Sequence, residues 1–422
     1  MLKRIHVDQL TVGMYLKECC GSWIDHPFWR SSFVLVDPAD IEAIRRSKIR
    51  EVWIDCAKGR DLESGETEVS VAESDAQVDA EVATAAQAQR QIERVPASAE
   101  FVRAARIVAK SRQAVNALFG EARLGKAVDA TSAHGLVEEI ADSVTRNPGA
   151  LIGLARLKRA DDYTYMHSVA VCALMVALAR QLGFDDAQTR SAGVAGLLHD
   201  LGKAAMPSDI LNKPGRLTDE EFAVMKSHPF EGHRILQQGK GVDAVALDVV
   251  LHHHEKTNGS GYPEGLSGDE ISVFAKMGAV CDVYDAITSN RPYKAGWDPS
   301  ESLHRMAEWS NGHFDPMIFQ AFVKSIGIYP IGSLVLLNCG RLGVVIEQDD
   351  ASLLCPQVRV FFSTRCNARI RPEIVDLAQS AGVSKIVGRE DPKKWSFPDL
   401  DALWLGSIES SADDDRSSPT GG

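Results

Sequence analysis

Histidine and aspartate residues recur in this chain at spacings that could assemble a metal centre. His167 lies in the apolar stretch YTYMHSVAVCALMVALA, and His199-Asp200 ends another apolar run just before Lys203. His228 precedes Pro229, and His252-His253-His254-Glu255 closes a valine-rich stretch. Asp282 and Asp285 stand three apart in AVCDVYDAITS, on one face of a helix. An ionised carboxylate in an apolar bundle is costly unless it is paired or binds a cation. One shared cation would satisfy groups drawn from several helices together. Imidazole with carboxylate suits zinc, iron or manganese, and so many histidines argue against magnesium. Two such ions could bind a phosphodiester and activate water against it.

Each feature alone has an ordinary explanation. A single His on an apolar helix is usually a hydrogen-bonded core residue. A His-Asp pair occurs by chance, and a run of three His can be a solvated patch. These explanations would have to hold separately for several helices within one stretch of chain. The Gly259-Ser260-Gly261-Tyr262-Pro263 segment is not a phosphate-cradling loop, because it lacks the Gly-Lys-Ser/Thr ending. Its small residues suit a tight turn near the site. A phenol is a poor base at neutral pH, so Tyr262 is expected to be structural or partner-facing.

The elements that would position these groups read as mainly α, in a chain of 422 residues and more than one domain. Residues 1–60 suggest a small α/β domain, with strands at Ser32–Val36 and Arg50–Asp55 and a helix over Asp40–Lys48. Residues 61–98 are acidic, rich in small residues and poor in aromatics, as in a linker or exposed helix. Residues 99–329 read as helices, with the chemistry in about 145–329. Phe101, Ala105, Ile107 and Val108 open the pattern. Val194, Leu197, Leu198 and Leu201 continue it, as do Val242, Val245 and Val249. Thr218 and Glu221 form a capping box that should start a helix running through Met225 and His228 toward Leu236. The preceding stretch, with Pro207, Pro214 and Gly215, is a loop long enough to act as a lid. Residues 330–406 turn β-rich, with two apolar runs split by a glycine turn and a third at VRVFFS. Residues 407–422 are expected to be disordered.

The net charge of −12 disfavours binding to a nucleic-acid polymer and favours a focused site for a small anion. The eight cysteines form no C-x-x-C pair. No apolar run reaches the ~18–20 residues of a membrane span, and the first residues lack a signal-peptide core. A cytoplasmic location is the expectation.

HDLGK at 199–203, HHEKTNGSGYP at 253–263 and DVYDAITSNRPYK at 282–294 resemble the HD-GYP branch of the HD phosphohydrolase superfamily. DDYTYMHSVAV at 161–171 resembles that family's first metal-binding helix. The N-terminal segment, with LTVGMYLKE and VWIDCAKGRD, resembles an uncharacterised domain often found before HD-GYP modules in bacteria. The resemblance implies an HD-type helical bundle that hydrolyses cyclic di-GMP to pGpG, to GMP or to both. It implies two divalent ions, iron or manganese. His167, His199, Asp200 and Asp282 would hold one ion. His228, His253 and His254 would hold the other, with Asp200 as bridge. Lys203 would act with Asp200 in catalysis, by approaching the phosphate or assisting proton transfer, and Arg291 and Lys294 would bind substrate. Members with three metals carry a Glu where this chain has Tyr163, so two ions are expected. The partners implied are cyclic di-GMP itself, GGDEF-domain diguanylate cyclases docking through the GYP loop, and a second copy in a homodimer. A cyclic di-GMP sensor or a cyclase-docking module without turnover is the alternative, although all seven ligands are present.

Overall fold

The structure, a computed structural model, describes residues 2–20, 32–47, 49–61, 69–70, 94–157, 163–213, 215–290, 296–349, 351–380, 382–395 and 397–405. At residues 18, 20, 69, 70, 163 and 311 only the backbone is described. The chain divides into two units, Met1–Thr84 with His304–Phe314, and Ala85–Leu303 with Asp315–Gly422.

The first unit is built on an antiparallel sheet of order β3-β2-β4-β1-β5. Its strands are β1 (Leu2–His6), β2 (Tyr15–Cys20), β3 (Phe33–Val34), β4 (Glu51–Asp55) and β5 (Val69–Ser70). β4 was expected to alternate, yet Val52, Trp53 and Ile54 are all buried. It is the central strand, where both faces are covered. The Pro38–Arg46 helix starts from Asp37, whose carboxylate accepts from the Ala39 amide, and it buries Ile41 and Ile44. β1 and β2 were not foreseen. Val69 and Ser70 lie within the stretch expected to link, and they pair with β1.

The second unit is a helical bundle carrying a second antiparallel sheet. The long Ala97–Arg123 helix buries Phe101, Ala104, Ile107, Ser111 and Val115 along one stripe. Ala105, expected in that stripe, is exposed instead, because the 3.6-residue period places it a quarter turn away. The Tyr163–Gln181 helix is buried along nearly all of its described length and packs against the Asp186–Leu198 helix. The valine-rich helix begins at Ala244, capped by Asp243, so Val242 precedes it; its buried positions are Ala246, Val249 and Val250.

The helix started by the Thr218 capping box does not run through to Leu236. It ends at Met225, and a second helix, His228–Gln237, begins after Ser227 with Pro229 in its first turn. Proline carries no amide hydrogen and favours a helix start over a helix interior. The expected lid stretch holds one turn of helix at Ser208–Leu211; Pro214 lies outside the described residues.

The C-terminal sheet has order β10-β6-β7-β8-β9, from β6 (Leu334–Leu337), β7 (Arg341–Glu347), β8 (Gln357–Ser363), β9 (Ala368–Asp376) and β10 (Ile386–Arg389). One apolar cluster joins it to the bundle: Phe101 and Ala150 pack with Leu334, Leu342, Phe361 and Trp404. Glu347 ties β7 to the helices, accepting from the Ala97 amide and from Asn147 Nδ2 at 2.9 Å. The sheet is thus part of the unit that carries the histidines. The tail from residue 406 lies outside the described residues.

Candidate metal centre

Six elements deliver the predicted metal ligands to one buried point. His167 comes from the second turn of the Tyr163–Gln181 helix, where it is 3% exposed. His199 caps the Asp186–Leu198 helix, and Asp200 opens the 3-10 turn Leu201–Ala205. That turn packs backbone to backbone on the next element. A Cβ at Gly202 would stand 1.8 Å from the His228 carbonyl oxygen, so only glycine fits there. The break before His228 puts it in the first turn of its helix. His253 and His254 follow the end of the Ala244–His252 helix, and Asp282 projects from Val273–Thr288.

The donor atoms fall into two groups. His167, His199 and Asp282 form one, and His228, His253 and His254 form the other; within each, the ligand atoms lie within 4.8 Å of one another. Asp200 stands between them. Its Oδ2 is 3.4 Å from His167 Nε2 and 3.5 Å from His199 Nε2. Its Oδ1 is 3.3 Å from His228 Nε2 and 3.9 Å from His253 Nε2. One carboxylate therefore turns one oxygen to each group.

Hydrogen bonds on the far side of the rings set which nitrogens face inward. Nδ1 of His199 donates to the Gly196 carbonyl at 2.8 Å, and Nδ1 of His228 to that of Met225 at 2.8 Å. Nδ1 of His253 lies 3.1 Å from the carbonyls of Val249 and Val250. Nδ1 of His167 lies 2.5 Å from Asp285 Oδ2. With Nδ1 protonated, a neutral imidazole presents a lone pair at Nε2. These lone pairs face one another: His199 Nε2 is 3.2 Å from His167 Nε2, and His228 Nε2 is 3.3 Å from His253 Nε2. Two acceptors cannot satisfy each other, and Asp200 Oδ1 is buried without a hydrogen-bond partner. Cations at these two positions would answer all of these acceptors, so the residues present fit a pair of metal ions.

The electrostatics agree for His199, His253 and His254. Burial, with the neighbouring histidines, pushes His253 down to about 3. Burial also lowers His199 and holds His254 well below the ordinary histidine value, keeping these rings neutral as ligands must be. Burial would raise Asp200, but Lys203 and the surrounding histidines outweigh it and hold the carboxyl well below its usual range. Asp282 is lowered in the same way, burial being outweighed mainly by His167. His167 differs: burial pulls it down, and its contacts with Asp282 and Asp285 raise it above the usual value. Cys281 beside Asp282 is pushed well above its ordinary value by burial, and a protonated thiol is no ligand.

Lys203 was expected to reach past the His-Asp pair. Its Nζ lies 2.6 Å from Asp200 Oδ2, with the side chain a quarter exposed. All seven predicted donors and Lys203 are brought together. Arg291 and Lys294 lie outside the described residues, as does the side chain of Tyr163. Two further residues had no predicted role. Asp285 orients His167, and its three-residue spacing from Asp282 was the available signal. Glu255 accepts at Oε1 from the amides of Glu264 at 2.8 Å and Gly265 at 3.0 Å, closing the GYP loop onto the end of the His253 helix.

Comparison with known proteins agrees with this arrangement. Residues 2–133 match a domain of unknown function (DUF3391), and residues 140–318 match the HD domain family. A cyclic di-GMP phosphodiesterase of Pseudomonas aeruginosa is 52% identical over 97% of this chain and 97% of its own length. A cyclic di-GMP phosphodiesterase response regulator of Xanthomonas campestris is 38% identical over 40% of this chain and 47% of its own. A 3'3'-cGAMP-specific phosphodiesterase of Vibrio cholerae is 34% identical over 39% of this chain and 38% of its own. With a full-length relative at this identity, and with the HD and GYP motifs converging on one buried centre, the chain belongs to the HD-GYP family of HD-domain proteins.

Proposed function

We propose that this chain is a metal-dependent phosphodiesterase that hydrolyses cyclic di-GMP, to pGpG, to GMP or to both. The observation that carries the reading is Asp200, whose two oxygens face two groups of histidine donors. Likeness to the Pseudomonas enzyme along nearly the whole chain supports cyclic di-GMP as the substrate.

His167, His199, Asp200 and Asp282 would hold one ion, and His228, His253, His254 and Asp200 a second. Two ions, rather than three, follow from Tyr163 at the position of a further Glu ligand. The nitrogen and oxygen donors, without thiolate, suit iron or manganese. When bound, such ions offset phosphate charge and make water more acidic. The chain's own residues set the rest. The carbonyl and Asp285 contacts fix the imidazole tautomers before substrate arrives. Lys203 stands at the edge of the donor cluster, beside Asp200, so it can place a charge or a proton beside a bound phosphate. Arg291 and Lys294 follow the Asp282 helix in sequence and are assigned to the second phosphate or a guanine.

No described helix is long and apolar enough to cross a membrane, and a cytoplasmic site of action fits an intracellular second messenger. The test is hydrolysis by the purified full-length chain, loaded with manganese or ferrous iron. Cyclic di-GMP, 3'3'-cGAMP and cyclic di-AMP would be compared side by side. Metal-dependent loss of cyclic di-GMP with the highest kcat/KM is expected. Tight binding without turnover would favour the sensor reading instead, and preference for 3'3'-cGAMP would reassign the substrate.

A further inference from the structure

Five imidazoles meet at this centre, and four are oriented in the same manner. His167, His199, His228 and His253 each engage a carboxylate or backbone carbonyl through Nδ1. His254 does not. Its Nδ1 lies 3.7 Å from Asp282 Oδ2, which belongs to the centre itself, and it makes no such outward hydrogen bond among the described residues. A ligand ring without an outer partner is free to turn about χ2, which weakens a metal site.

Besides the rings of His228 and His253 within the centre, His254 has an aromatic neighbour outside it. Its ring stacks on Tyr262, with centroids 4.7 Å apart and planes inclined by 29°. The Tyr262 amide donates to the His254 carbonyl at 3.2 Å, so backbone and side chain address the same residue. The loop that presents Tyr262 is tightly built. A Cβ at Gly261 would stand 2.5 Å from Glu255 Cα and Lys256 N, so the chain passes directly against the end of the His253 segment. Glu255 holds the following residues, Glu264 and Gly265, by their amides. Lys226, two residues before His228, places its ammonium 5.4 Å from the Tyr262 ring centroid.

We infer that Tyr262 is a positioning residue for His254. The face of its ring takes the place of the outer hydrogen bond that the other four histidines have, through an offset-stacked contact. This gives the tyrosine of the GYP segment a task inside the chain, and it rests on the reading of His254 as a metal ligand.

The experiment is a manganese titration of the metal-stripped full-length protein, with free Mn(II) read by its electron paramagnetic resonance signal. Wild type is compared with Tyr262→Phe, Tyr262→Leu and His254→Ala. Tyr262 is only partly buried, and a thermal melt of each variant checks the fold. His254→Ala should lose one of two ions. Tyr262→Leu should weaken that same ion about tenfold, at the low end for an outer partner of a ligand, and leave the other unchanged. Tyr262→Phe keeps the ring and should bind as wild type. Wild-type affinity in Tyr262→Leu overturns the inference, as does equal weakening in Phe and Leu, which would place the effect in the hydroxyl. If His254→Ala keeps both ions at wild-type affinity, the ligand reading itself fails, and the inference with it.

Discussion

The N-terminal sheet and the helical bundle bury different kinds of groups. In the N-terminal unit the core is Ile5, Val7, Leu10, Met14, Leu16, Ile44, Val52 and Ile54, with Lys3, paired to Asp61, the buried charge among the described residues of its sheet. In the catalytic unit the helices enclose His167, His199, Asp200, His228, His253, Asp282 and Asp285, each less than a tenth exposed. A core of the first kind is stabilised by removing apolar area from water. A set of the second kind opposes folding unless its charges and lone pairs are answered. The contrast indicates that the polar cluster is held for chemistry, and that the apolar helices around it and the C-terminal sheet behind them supply the stability it does not.

Asp200→Ala should have the largest effect, because it removes the group common to both donor sets. Turnover should fall to background and metal content should drop, while the helical circular dichroism survives. Retained hydrolysis in metal-replete buffer would move the site elsewhere. Lys203→Ala should lower kcat by about 10²-fold, the scale of a lost acid/base or charge-stabilising group, with metal content unchanged. A fall in metal content would show that Lys203 acts through Asp200 alone. Asp285→Asn should weaken metal binding by roughly tenfold, since a neutral amide orients His167 less firmly than a carboxylate; equilibrium titration of the apo-protein would show unchanged affinity if Asp285 were merely packed there. Ile54→Ala, in the central strand of the apolar unit, should destabilise that unit by about 3 kcal/mol through a cavity. It should leave metal content and kcat/KM within about twofold, the smallest effect of the series. Loss of activity at full metal content would tie the two units together functionally.

The donors were legible because His167 and Asp282 are rare residue types in apolar helices, and because HDLGK and HHEKTNGSGYP have their own spacing. Helix periodicity placed Val194, Leu197 and Leu198 on a buried helical face; Leu201 is buried too, but lies in the 3-10 turn beyond the helix end. What the sequence did not reveal depends on contacts across the chain. The role of Asp285 becomes visible only when His167, 118 residues away, is seen against it. The break between Met225 and His228 looked like continuous helix, because the capping box announces a start and nothing local announces the stop except Pro229. β1 and β2 are short, and their pairing partner β4 lies more than thirty residues beyond β2 in the chain. Arg291, Lys294 and the Tyr163 side chain keep their assigned roles by resemblance alone.

We propose that one carboxylate, Asp200, joins two sets of histidine donors into a single dinuclear centre. It is tested most directly on the wild-type chain saturated with Mn(II), by combining metal analysis with electron paramagnetic resonance. The account predicts about two ions per chain and the spectrum of an exchange-coupled pair, as for ions bridged at roughly 3.5–4 Å, with Asp200→Ala losing the coupling. One ion per chain, or two ions giving uncoupled spectra in the wild type, would contradict it.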